Sequence, residues 1–363
     1  MEEPILSQHN HRYVVFPIQY PKLWEMYKKA VDSFWRPEEI DLRADLLQWE
    51  TVLTKAERKL VSRILAFFAT ADGIVAENLV ERFCRDVAIP EAKFFYCFQL
   101  VIENIHAETY SMLLESLIVD SEERRALLDA ATEVPTIAAK NAWAVKWIEN
   151  SIADFATRLA AFVAVEGLFF SSSFAYIFFL KSQGKMNALG FSNELICRDE
   201  GMHTAFASLL FQHLHNRPPM QVIHEMFKEA VEIEIQFASE ALSSPVPGMT
   251  ILEMSQYIRF SADQLLKTLG YEALYGDSNP FEFMAMMSLP GRVNFFEKQN
   301  SDYRLPRMEV SDVRTGLWSE DAFCAGYSKE NVGRRRSEIR SEDEGKSGSH
   351  PDTAFPIQSL FNQ

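Results

Sequence analysis

Residues 98–119 read FQLVIENIHAETYSMLLESLIV, an apolar stretch of helical period interrupted by Glu103, His106 and Tyr110. Glu103 and His106 stand three residues apart, so in a helix they share one face. Tyr110 follows on that face, one turn beyond His106. Residues 193–211, NELICRDEGMHTAFASLLF, repeat the spacing with Glu200 and His203. A lone carboxylate in a further apolar run precedes each pair: Asp72 in ILAFFATADGIVAENLV (64–80) and Glu166 in LAAFVAVEGLFFSSSFAYIFFL (159–180). Asp72 to Glu103 is 31 residues and Glu166 to Glu200 is 34, with the halves offset by 94 and 97. That order is the imprint of a duplicated helix pair, each copy contributing half a site about an approximate twofold.

Outward from these four runs the periodicity stays helical. Short amphipathic helices are predicted over 21–34 and 42–53. A Thr54–Glu57 capping box opens a long helix to about residue 87, and Pro90 sits as the first-turn residue of the next, to about 119. Helices follow near 122–131 and 135–150. A single long helix is predicted over 152–183, stopped by Gly184, and another over 188–216, ended by Arg217-Pro218-Pro219. Helices over 220–242 and 251–269, the last closed by Gly270, complete an all-α bundle.

Composition narrows the function. The 363 residues carry 36 Lys+Arg against 51 Asp+Glu, a net charge of −15 that argues against nucleic-acid and anionic-membrane partners. With 14 Gly and 15 Pro the chain is too poor in turn residues for an all-β fold. Four scattered cysteines without a CxxC read as reduced thiols of a cytoplasmic protein, and MEEPILSQHNHRY lacks the pattern of a signal peptide. The run 159–180 is long and apolar enough to span a bilayer. A helix buried on all sides of a large bundle explains it as well, and either reading must find a partner for Glu166.

One spaced Glu–His pair is weak, since composition supplies about one by chance. Two pairs in mid-helix, each with its lone carboxylate, form the ligand set of the di-iron and di-manganese sites of ferritin-like bundles, with Asp72 in place of one Glu. Four carboxylates and two neutral imidazoles sum to −4, which two divalent ions balance. The bland alternative is a buried salt-bridge network, for which Arg158 and Arg198 are the nearest cations. Such a centre stores iron, oxygenates or desaturates a substrate, or oxidises a side chain. Tyr110, with Phe170, Phe174 and Ile196 spaced to wall it, suits a shielded radical. It suits equally a core tyrosine hydrogen-bonded to a ligand.

Together ADGIVAENLVERF, ENIHAETYSMLL, AVEGLFFSSSFAYIFFLK, FSNELICRDEGMH and NPFEF…NFFEK resemble the small, radical-generating subunit of class I ribonucleotide reductase. The likeness runs from about residue 3 to 323. It implies a ribonucleoside-diphosphate reductase subunit, an oxidoreductase active only with its large subunit, that serves deoxyribonucleotide biosynthesis and DNA replication. It implies the metal ligands Asp72, Glu103, His106, Glu166, Glu200 and His203, holding two iron ions in a di-iron-oxo centre, with manganese open. It makes Tyr110 the tyrosyl radical and Phe170, Phe174 and Ile196 its hydrophobic pocket. Trp35, Asp199 and Tyr303 become the radical-transfer route. O2, an external electron donor, a homodimer and a larger complex with the large subunit complete the expectation. A di-iron oxygenase or desaturase, or an iron-storage protein, is the alternative on the same bundle.

The end of the chain departs from that pattern. Residues 1–300 read as the ferritin-like domain, 301–323 as a tail docking on the large subunit, and 324–363 as a disordered extension. Family members dock through the free carboxylate beside a terminal Phe, whereas 40 residues follow Phe323 here. The extension is expected to weaken docking or to move it onto AFPIQSLFNQ.

Overall fold

A computed structural model describes residues 3–148, 150, 153–242 and 248–284. Among these no β-strand forms. The helices are α1 (Pro21–Asp32), α2 (Arg43–Thr51), α3 (Lys55–Asn78), α4 (Cys84–Asp86), α5 (Pro90–Leu117), α6 (Ser121–Glu133), α7 (Pro135–Ile148), α8 (Phe155–Leu168), α9 (Ser171–Ser182), α10 (Asn187–Gln212), α11 (Met220–Ala241) and α12 (Ile251–Leu269). Tyr303, the docking stretch 317–323 and the extension 324–363 lie outside the described residues.

Local chemistry sets most boundaries. Thr54 Oγ1 accepts from the Glu57 amide and Glu57 Oε2 accepts from the Thr54 amide, the expected capping box of α3. Asp154 caps α8 through the Thr157 amide at 2.7 Å. Gly184 and Gly270 take left-handed φ of +73° and +86° and end α9 and α12, a conformation that costs a glycine nothing.

Two long helices depart from the predicted continuity. The helix opening at Lys55 widens into a π turn over Leu79–Phe83 before α4. The segment read as one helix over 152–183 is two, α8 and α9, interrupted at Phe169–Phe170. Neither place carries Pro, so no local stop signal marks it. At the second, side chains of other helices bond to the interrupted backbone.

α3 packs along α5, α8 along α10, and α5 against α10, so the two predicted helix pairs form the centre of the bundle. α1 covers α5 and α10, and α11 and α12 cover α8. Phe155–Ser182 is apolar enough to cross a membrane, yet it lies inside this bundle, with Leu159, Val163, Leu168, Ala175 and Leu180 fully buried. Gly167 permits close packing of α8 on two neighbouring helices. A Cβ there would sit 2.6 Å from Leu265 Cδ2 on α12 and 3.2 Å from Thr204 Cγ2 on α10.

Candidate metal centre

The four central helices bring Asp72 (α3), Glu103 and His106 (α5), Glu166 (α8), and Glu200 and His203 (α10) into one cluster, none more than 3% exposed. Two ligand groups can be drawn, Asp72 with Glu103 and His106, and Glu103 with Glu166, Glu200 and His203. Glu103 belongs to both. Its Oε2 lies 3.3 Å from His106 Nδ1 and its Oε1 3.1 Å from His203 Nδ1. Glu200 mirrors it, with Oε1 3.2 Å from His106 Nδ1 and Oε2 3.3 Å from His203 Nδ1. Two carboxylates thus offer one oxygen to each side, while Asp72 flanks one side and Glu166 the other, its Oε2 3.8 Å from His203 Nδ1.

The polar atoms are arranged for cations. Both oxygens of Asp72, Glu103 Oε2, His106 Nδ1 and Glu166 Oε2 are buried and make no hydrogen bond. Such atoms are costly inside a protein unless an ion takes them. The cations of the bland alternative are engaged elsewhere: Arg158 pairs with Asp86 at 2.7 Å, and Arg198 donates to Asp199 and to the Ser33 carbonyl. The donor set, oxygen-rich with two imidazoles, fits a pair of divalent first-row ions.

Without an ion between them, Asp72, His106, Glu166, Glu200 and His203 all depart from their ordinary pKa values. Burial, reinforced by Glu103, pushes Asp72 well above the usual carboxylate range, and burial with Glu200 does the same to Glu166. Glu200 is held low: burial raises it, but its close neighbours Glu166, His106 and His203 outweigh that. Burial disfavours charge on both imidazoles, yet the hydrogen bond to Asp199 and the neighbouring Glu103 carboxylate hold His106 well above its ordinary value, and the charge of Glu103 does so for His203. Metal must displace these protons, so its binding is coupled to pH.

On its far side His106 presents Nε2 to Asp199 Oδ2 at 3.3 Å, and the same oxygen accepts from Trp35 Nε1 at 2.6 Å. Trp35 and Asp199, two of the three residues expected on the transfer route, thus form one buried chain with His106. Tyr110 lies one turn past His106, 2% exposed, with its hydroxyl free of hydrogen bonds. Burial, then the charges of Asp72, Glu200 and Glu103, raise its pKa well above 10, so the phenol keeps its proton. Phe170, Phe174 and Ile196 are buried.

Two participants were overlooked in the sequence. Phe68 is the ring that joins the pocket, 4.8 Å from Tyr110, 5.6 Å from Phe170 and 5.3 Å from Phe174 between centroids. Gln99 donates from Nε2 to Glu103 Oε1 at 3.3 Å and Glu166 Oε1 at 3.0 Å, tying the two halves together. Each precedes a ligand by four residues, Phe68 before Asp72 and Gln99 before Glu103, which is the signal that marks them.

Comparison with known proteins accords with this geometry. The sequence model of the family "Ribonucleotide reductase, small chain" matches residues 12–280. The chain is 53% identical to the ribonucleoside-diphosphate reductase small chain of Neurospora crassa, over 91% of this chain and 80% of that one. The chain belongs to the ribonucleotide reductase small-chain family. Small chain 1 of Saccharomyces cerevisiae is 51% identical over 84% of this chain and 76% of its own length. Among solved structures, the Rnr4 homodimer of Saccharomyces cerevisiae superposes with a TM-score of 0.71 at 37% identity, over 77% of this chain and 88% of that one. The ferritin-like all-α fold and the activity of a ribonucleoside-diphosphate reductase small subunit follow from this membership. The oxygenase and storage readings are not favoured.

Proposed function

We propose that Asp72, Glu103, His106, Glu166, Glu200 and His203 hold two iron ions and that the pair generates and maintains a radical on Tyr110 for use by a large subunit. The observation that carries this is the doubly facing pair Glu103 and Glu200, each offering one oxygen to each imidazole in a sealed, anionic cluster. The ligand set suits manganese too, but Fe(II) surrenders electrons to O2 directly. Bound there, the ions would supply the reduction of O2, with one electron from Tyr110 and another from an external donor.

The chain's own residues do the rest. Glu103 and Glu200 would each offer one oxygen to either ion, while Asp72 and Glu166 would each hold one. Asp199 fixes the His106 ring through Nε2, which leaves Nδ1 for metal. Tyr110 retains its proton until oxidised and then releases both proton and electron, leaving a neutral radical. Phe68, Phe170, Phe174 and Ile196 exclude water and reductants from it. Trp35, Asp199 and His106 form the inner part of the route outward, and Tyr303 continues it toward the large subunit. We assign residues 301–323 to docking on that subunit and 324–363 to an extension that modulates it. The neighbour from Saccharomyces cerevisiae is a homodimer, and the same assembly is assigned here. Free Cys84, Cys97 and Cys197 accord with a cytoplasmic setting.

Anaerobic Fe(II) titration tests the centre. Two ions should bind per chain, and Glu103→Ala, which strips a ligand from both sides, should weaken binding by about 10–100-fold or more. Unchanged stoichiometry and affinity in that variant would overturn the assignment.

A further inference from the structure

Away from the metal ligands, the bundle buries a second pair of charges. Lys140 of α7 is 1% exposed and Glu234 of α11 is fully buried, with Lys140 Nζ 2.6 Å from Glu234 Oε2. The ammonium sits 3.8 Å from the Phe67 ring centroid and 3.7 Å from that of Phe237, held between two aromatic faces. Burial pulls the Lys140 amine down to about 8 against the attraction of Glu234. Apolar residues in such places are often as stable as the ion pair they replace. Something other than stability accounts for it.

Its hydrogen bonds show what. Both members reach the break between α8 and α9. Lys140 Nζ donates to the Phe169 carbonyl at 2.6 Å, and Glu234 Oε1 accepts from the Ser172 amide at 3.2 Å and its hydroxyl at 2.6 Å. Ser171 Oγ donates to the Leu168 carbonyl at 2.6 Å. The Phe169 amide reaches back five residues to Ala164 at 3.2 Å. Side chains from two other helices therefore satisfy backbone groups that a continuous helix would pair internally. The break starts three residues past Glu166 and contains Phe170, whose ring packs on both Phe67 and Phe68. Phe68 in turn lies on Tyr110.

We propose that the Lys140–Glu234 pair positions the metal centre and the Tyr110 pocket: by pinning the break at Phe169–Phe170 it sets the reach of Glu166 and the seat of Phe170. The inference rests on the di-metal reading above. Neither residue touches the reacting atoms; both act through the backbone at the α8–α9 break.

Three chains are compared, the native one, Glu234→Gln, and the double variant Lys140→Met/Glu234→Leu, which removes the pair without stranding a charge. The first readout is the visible d–d spectrum of metal-free protein titrated anaerobically with Co(II) alone. The second is the decay of the tyrosyl EPR signal after Fe(II) and O2. The double variant should keep native helical content and a thermal midpoint close to native. It should nevertheless show altered Co(II) bands, and its radical should decay at least tenfold faster. Glu234→Gln, which retains an acceptor for Ser172, should fall between. A folded double variant with native bands and native decay would overturn the proposal. Should the double variant not fold, native bands and decay in Glu234→Gln would do the same. Failure of the native chain to bind two Co(II) would instead overturn the di-metal reading, and the inference with it.

Discussion

At Asp199 the side chains of Trp35, His106 and Arg198 converge on one carboxylate. Oδ2 takes Trp35 and faces His106, while Oδ1 accepts from Arg198 Nη2 at 3.0 Å. Burial alone would raise its pKa, but Arg198 and the hydrogen bonds of His106 and Trp35 outweigh burial and keep it ionised. An amide offers one acceptor where the carboxylate offers two, and no charge for Arg198. Asp199→Asn should therefore still form the Tyr110 radical, measured by EPR, while turnover with the large subunit falls by about 10–100-fold. Native turnover would show that the chain of bonds carries nothing. The six residues of the buried cluster were legible in the sequence because each is a polar group on an apolar stripe. Phe68 was not, since one phenylalanine among 28 does not stand out until its partner is known. Gln99 was missed for the same reason, as a neutral amide raises no alarm by itself.

Helix starts and stops followed from Thr54, Pro90, Gly184 and Gly270, whose effects are local. The break at Phe169–Phe170 did not, because its bonding partners lie 29 residues back at Lys140 and 62 residues on at Glu234. A run of apolar residues around three serines looks helical until those partners are in place. Glu91, in the first turn of α5, shows the same reach. Fully buried, it accepts from Arg12 at 2.6 and 2.5 Å and from the Gln19 amide at 2.8 Å, holding residues 12–20 against α5. Burial raises its pKa, but Arg12 and the amides of Gln19 and Tyr20 outweigh it, so the folded value lies below 4.5. The unfolded state then binds more protons in that window, and the tether's contribution is complete above about pH 4.5 and disappears as pH falls through the folded value. Protection of residues 12–20 from hydrogen exchange, taken relative to the unstructured peptide at the same pH, should fall below that pH, and in Glu91→Gln at neutral pH as well. Equal protection in variant and native chain would contradict the tether.

For the whole molecule, the net charge of −15 includes four interior carboxylates assigned to metal, so two divalent ions bring the loaded protein to about −11. The all-α class and the paired halves were legible because each half repeats the same spacing on α3 with α5 and α8 with α10. Assembly was not: the homodimer and the large subunit came from resemblance, since no residue pattern within one chain states its partners. The tail makes one prediction at this scale. A chain shortened after Phe323 presents a free carboxylate beside that ring and should bind the large subunit at least about tenfold more tightly than the full chain, about 1.4 kcal/mol. Equal affinity by titration calorimetry would show that residues 324–363 do not influence docking. The central claim, that the cluster of six ligands generates a radical on Tyr110, is met most directly by EPR of metal-free protein supplied with Fe(II), O2 and a reductant. A tyrosyl signal should appear in the native chain and be absent from Tyr110→Phe that still binds two ions. The same signal in that variant, or none in a fully loaded native chain, would contradict it.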